Sequence, residues 1–88
     1  MGLYEAIDSL SEGARLEYKS ADGTIVVYEP FLRGPGVLDV IVRKRSNNAT
    51  GARHEVKREY EGVDREWCDR QDKALRDLGI DPNDYTIL

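Results

Sequence analysis

A chain of 88 residues can bury one hydrophobic core and is too short for two, because small domains leave much of their surface wet; one domain over residues 1–88 is expected. With 40% hydrophobic residues, 34% charged residues and a net charge of −4, the chain is expected to fold, which excludes wholesale disorder. Its apolar runs, Thr24 to Tyr28 and Gly36 to Val42, fall far short of the roughly 18–20 residues that cross a bilayer, so no membrane partner is expected.

The first element is a short helix from about Gly2 to Ser11, on which Leu3, Ala6, Ile7 and Leu10 form one apolar stripe. Glu5 and Asp8 in this stretch are unlike a secretory leader, and Gly13 supplies the stop. The period then changes to two. Ala14, Leu16 and Tyr18 alternate with Arg15, Glu17 and Lys19 as a half-buried first strand. Asp22-Gly23 predicts a two-residue type I′ turn, which pairs Tyr18 with Val27 and Ser20 with Ile25. That register puts Leu16, Tyr18, Ile25 and Val27 on one face and turns Val26 and Tyr28 to the other.

Pro30 to Gly36 reads as a connection, because Pro30 lacks a ladder donor and Gly34-Pro35-Gly36 favours turning; it carries Phe31 and Leu32, apolar for a loop. Val37 to Arg45 is the third strand, with Leu38, Val40 and Val42 on one face and Asp39, Ile41 and Arg43 on the other. Ser46 to Gly51 is a polar connection of hairpin length. The fourth strand, Ala52 to Tyr60, places Ala52, His54, Val56, Arg58 and Tyr60 on one face; its many charges suit a sheet edge.

The last helix carries Val63, Trp67, Gln71, Ala74, Leu75 and Leu78 inward, with Arg65, Glu66, Asp69, Arg70, Asp72 and Arg76 facing out. Trp67 is its anchor, worth roughly 2–3 kcal/mol of burial. Gly79-Ile80 fits a glycine C-cap, Asp81 to Asp84 a turn, and Tyr85 to Leu88 a short docked strand. The expected architecture is therefore α+β: a short N-terminal helix, a four-stranded antiparallel meander of two hairpins, an amphipathic C-terminal helix on one sheet face, and a short fifth strand.

Cys68 is the only cysteine, which excludes an internal disulfide and a multi-cysteine zinc site and fits a reducing cytoplasm. Between Asp64, Asp69 and Asp72 it is read as a packing residue rather than a reactive thiolate. His54, the one histidine, has no companion at ligand spacing. No metal and no cofactor is expected. Asn48-Ala49-Thr50 matches a glycosylation acceptor pattern that matters only in a secreted chain. No nucleophile elbow, phosphate loop or paired-carboxylate signature occurs, so an enzyme is not expected.

Charge is unevenly distributed. Arg43 to Arg58 holds six basic residues and one acid, a net +5, which leaves −9 for the remainder. Arg43, Lys44, Arg45, Arg53, Lys57 and Arg58, with Asn47 and Asn48 near the tip, are the candidate partner-binding residues of a basic β-hairpin. Such a ribbon can engage an acidic macromolecule, either nucleic acid or protein. The −9 remainder would repel phosphate unless it lies on the far side, and solvated or internally neutralised charge is the plain alternative. The expected function is a non-enzymatic binding or regulatory module. The alternatives are an interaction or homodimer domain using the Val26, Tyr28 and Ile41 face or the Phe31-Leu32 loop, and a small ligand-binding or catalytic pocket in the loop region.

Overall fold

The computed structural model describes residues 2–11, 13–35, 37–47, 51 and 53–88. Its elements are α1 (Leu3–Asp8), β1 (Leu16–Lys19), β2 (Ile25–Gly34), β3 (Val37–Asn47), β4 (Arg53–Tyr60), α2 (Arg65–Asp77) and β5 (Thr86–Ile87). The strands form one antiparallel sheet in the order β4-β3-β2-β1-β5, which is the expected meander with its fifth strand docked on β1.

The first hairpin turns differently from expectation. Among the described residues only glycines have positive φ, so Asp22 does not take the left-handed conformation that a type I′ turn needs. Instead Gly23 (φ 90°) donates to the Ser20 carbonyl at 3.1 Å, and Ser20 donates to the Thr24 carbonyl at 2.9 Å. This closes a three-residue loop, Ala21-Asp22-Gly23, in which glycine makes a bulge. Asp22 organises it by accepting from the Ser20 hydroxyl and, at 3.0 Å, from the Thr24 amide.

The extra loop residue shifts the register by one. Lys19 faces Ile25, Tyr18 faces Val26 and Leu16 faces Tyr28. Since side chains alternate, Val26 and Tyr28 join Leu16 and Tyr18 in the core, while Ile25 and Val27 turn to the opposite face, reversing the expected assignment. The corrected face is aromatic. Tyr18 and Tyr28 meet edge to face at 5.8 Å, and Trp67 packs on Tyr28 at 6.3 Å and on Tyr60 at 5.1 Å. The Tyr18 hydroxyl donates to the Pro82 carbonyl at 2.7 Å and the Tyr28 hydroxyl to Gln71 Oε1 at 3.0 Å, so both polar tips are satisfied.

β2 runs through Pro30 to Gly34, where a connection was expected. Beyond Tyr28 it has no β1 partner, so it is locally an edge, the setting in which a strand tolerates proline. Phe31 and Leu32 thus become strand residues opposite Asp39 and Leu38.

Both helices pack on one face of the sheet, around Leu3, Ala6, Ile7, Leu16, Tyr18, Val26, Tyr28, Val40, Trp67, Cys68, Leu75 and Ile80. α2 begins at Asp64, which accepts the Trp67 amide at 2.9 Å. It ends as expected at Gly79 (φ 77°), where Gly79 donates to Arg76 and buried Ile80 donates to Leu75, both at 2.9 Å. Asp72 departs from its expected outward position. It is buried and accepts the Leu3 amide at 2.9 Å, satisfying one of the open donors at the start of α1. α1 itself stops at Asp8 rather than Ser11, because the Ser9 hydroxyl bonds back to the Ala6 carbonyl at 2.9 Å and Leu10 donates to Ile7 in a tighter turn.

Candidate functional site

The basic stretch is carried by β3 and β4, and these strands outrun the rest of the sheet. Arg45 is the last β3 residue with a β2 partner, Ile25; Ser46 and Asn47 pair only with His54 and Arg53. The hairpin therefore ends as a two-stranded arm in a molecule of 45 × 23 × 22 Å.

Alternation gives the arm two faces. Arg43, Arg45, Arg53 and Lys57 lie on the face away from the helices, whereas Lys44 and Arg58 lie on the helix side with His54. The six cations read together in the sequence are thus divided four and two by the sheet. Asn47 places its backbone in β3 opposite Arg53, and Asn48 lies outside the described residues.

The two faces differ in charge balance. Away from the helices, acids are interleaved with the cations: Glu55 stands opposite Arg45, Glu29 lies 4.0 Å from Arg43, Glu59 lies 4.0 Å from Lys57, and Glu17 lies 3.4 Å from Lys19. These acids offset the like-charge pair Arg43 and Lys57, which face each other directly. On the helix side, β3 from Val40 to Ser46 and β4 from His54 to Tyr60 present no acid. Lys44 and Arg58 are exposed there, diagonal neighbours roughly 7–8 Å apart by sheet geometry, and neither makes a salt bridge among the described residues.

Beside these two cations the second half of α2 leaves a cleft of about 520 Å³. Its floor consists of two cross-strand rows, Val26-Lys44-Val56 and Tyr28-Val42-Arg58, each with one cation beside two less polar side chains. Ala74, Leu75 and Leu78 form the helix wall, together with Asp77, the single acid among the described lining residues. Val56 keeps 48% of its surface exposed, an apolar side chain left uncovered beside the two cations.

Sequence reasoning missed this cleft because the two-residue turn sent Val26 to the opposite face. Asp-Gly also suits a three-residue loop with a glycine bulge, so the turn residues were compatible with the correct register. At the other end of the sheet, Tyr4, Leu10, Phe31, Leu32 and Leu38 line a second cleft of about 840 Å³. Phe31 and Leu32 are 44% and 76% exposed there.

Among the described residues no group of His, Cys, Asp and Glu is arranged to hold a metal ion. The Cys68 thiol is buried, and burial, followed by the nearby Asp72 charge, pushes its pKa up to about 11; it is therefore protonated at neutral pH. No helix among the described residues is long and apolar enough to cross a membrane. No family model, curated protein or solved structure matches the chain.

Proposed function

We propose that this chain is a non-enzymatic binding module that engages an acidic protein partner through the helix-side face of the β3-β4 hairpin. The observation that carries this reading is the charge asymmetry of the arm: Lys44 and Arg58 stand exposed and without salt bridges among the described residues on a face with no strand acid, whereas the opposite cations are interleaved with glutamates. A protein partner is favoured over nucleic acid because Val42 and Val56 leave apolar surface beside the cations in the cleft, and the outward cations share their surface with Glu17, Glu29, Glu55 and Glu59. A cytoplasmic setting belongs to the same proposal, resting on the single buried thiol.

Titration of the purified chain with labelled poly-glutamate, duplex DNA and single-stranded RNA at two ionic strengths tests it. Binding to poly-glutamate that weakens with salt is the expected result. Failure to bind poly-glutamate at low salt, or clearly tighter binding to either nucleic acid, would overturn the protein reading.

A second reading, homodimerisation at the opposite end of the sheet, is favoured by the exposure of Phe31 and Leu32 beside the larger cleft. It predicts a concentration-dependent mass in sedimentation that Leu32→Glu abolishes. A monomer at all concentrations removes it.

A further inference from the structure

Resting on the binding reading above, we infer that the cleft between α2 and the β3-β4 hairpin takes a peptide segment in which carboxylates alternate with large aliphatic or aromatic side chains. Such a segment complements the chemistry of the floor. In the row Val26-Lys44-Val56 the ammonium stands between two apolar side chains, and in the next row Arg58 stands at the edge beside Val42. A plain polyanion would neutralise the cations but leave Val56 and Val42 wet. A wholly apolar segment would cover the valines but trap the Lys44 ammonium without a counter-charge, which is costly. Only a segment carrying both kinds of side chain satisfies both.

The cleft also orients its occupant. Asp77 and the C-terminal end of α2 make the helix wall the negative side, while Lys44 and Arg58 make the strand wall the positive side. The peptide carboxylates therefore face the strands, and its apolar side chains lie over Val42, Val56 and Leu78. A volume of about 520 Å³ lies within the usual range for pockets that hold a few side chains. Single-stranded nucleic acid is a poor fit. Its bases need an open aromatic platform, whereas Tyr28 is buried and the half-buried Tyr60 already packs its ring on Trp67 at 5.1 Å.

Selection of random peptides displayed on phage against the full chain tests the inference, with the selected peptides then synthesised and titrated. The expected consensus places Asp or Glu next to Leu, Ile or Phe. Lys44→Glu combined with Arg58→Glu should weaken these peptides roughly tenfold or more. Ala74→Trp narrows the cleft from an exposed position on α2 without changing charge, and Val56→Ser removes apolar floor from an exposed position on β4. Each should weaken the selected peptides several-fold more than it weakens poly-glutamate. No enriched peptide, a consensus without acids, or equal effects of Ala74→Trp on peptide and poly-glutamate would overturn the inference. Poly-glutamate binding that persists in that case leaves the acidic-partner reading standing; its absence removes both. Preference for single-stranded RNA over the selected peptides would overturn the assignment to a peptide.

Discussion

At Gly2 the chain passes so close to Asp72 that a Cβ would collide with Oδ2, while Oδ1 of the same carboxylate accepts the Leu3 amide. A side chain at position 2 therefore displaces the group that ties α1 to α2. Gly2→Ala is expected to destabilise by about 1–3 kcal/mol, as overpacking does, and Asp72→Ala by about 1–3 kcal/mol through the orphaned Leu3 amide. The double variant should cost clearly less than the sum, because the carboxylate that the added methyl group would strike is gone; urea denaturation of all four proteins closes the cycle. Trp67 is the other sensitive residue, buried against Tyr28 and Tyr60. Trp67→Ala should lose about 3–5 kcal/mol in the same assay. Asp22 gives a pH signature. Hydrogen bonds, first from the Ser20 hydroxyl and then from the Thr24 amide, lower its carboxyl pKa to about 2. A depressed carboxylate contributes fully above its unfolded value near 4 and loses that contribution as pH falls through the folded value. The difference in Tm between wild type and Asp22→Ala should thus be largest above about pH 4 and shrink towards pH 2.

The elements were legible in the sequence wherever one local signal decided them. α2 was readable from its apolar stripe and from Gly79-Ile80, β1 from the alternation of Leu16 and Tyr18 with Glu17 and Lys19, and the edge position of β4 from its charges. The faces of β2 were not, because two loop geometries suit Asp22-Gly23 and they differ by one residue of register, which inverts an entire strand. Tyr28 on the wrong face also hid the aromatic cluster that gives Trp67 its partners. Asp72 shares a helical stripe with Cys68 and Leu75, but a carboxylate is read outward by default, and what holds it inside is an amide of α1, distant in sequence. The candidate site suffered similarly: the six cations were visible as a run, but their division between faces follows from the pairing of β3 with β4. The loop geometry can be tested directly. Deleting Ala21 leaves Asp22-Gly23 as a two-residue turn between the same flanking pair, Ser20 and Thr24, so register and faces are retained. The variant should fold with stability within about 1 kcal/mol of wild type. A loss of cooperative unfolding would show that the bulge itself is required.

On the scale of the whole molecule, the sheet separates two chemically distinct surfaces. One is a mosaic of Lys19, Arg43, Arg45, Arg53 and Lys57 with Glu17, Glu29, Glu55 and Glu59, whose mixed signs favour solubility over attraction of one charge type. The other carries only two exposed strand cations among the described residues, Lys44 and Arg58, yet sets them beside a cleft and away from strand acids. A count of basic residues favours the first surface, whereas uncompensated charge beside apolar area favours the second. The decisive measurement is equilibrium binding of labelled poly-glutamate at low salt to wild type, to Lys44→Glu/Arg58→Glu and to Arg45→Glu/Arg53→Glu. Both double variants change net charge equally, so their difference reports location alone. The first is expected to lose affinity roughly tenfold or more and the second to change within about threefold; equal losses, or a larger loss for Arg45→Glu/Arg53→Glu, would contradict binding at the helix-side face.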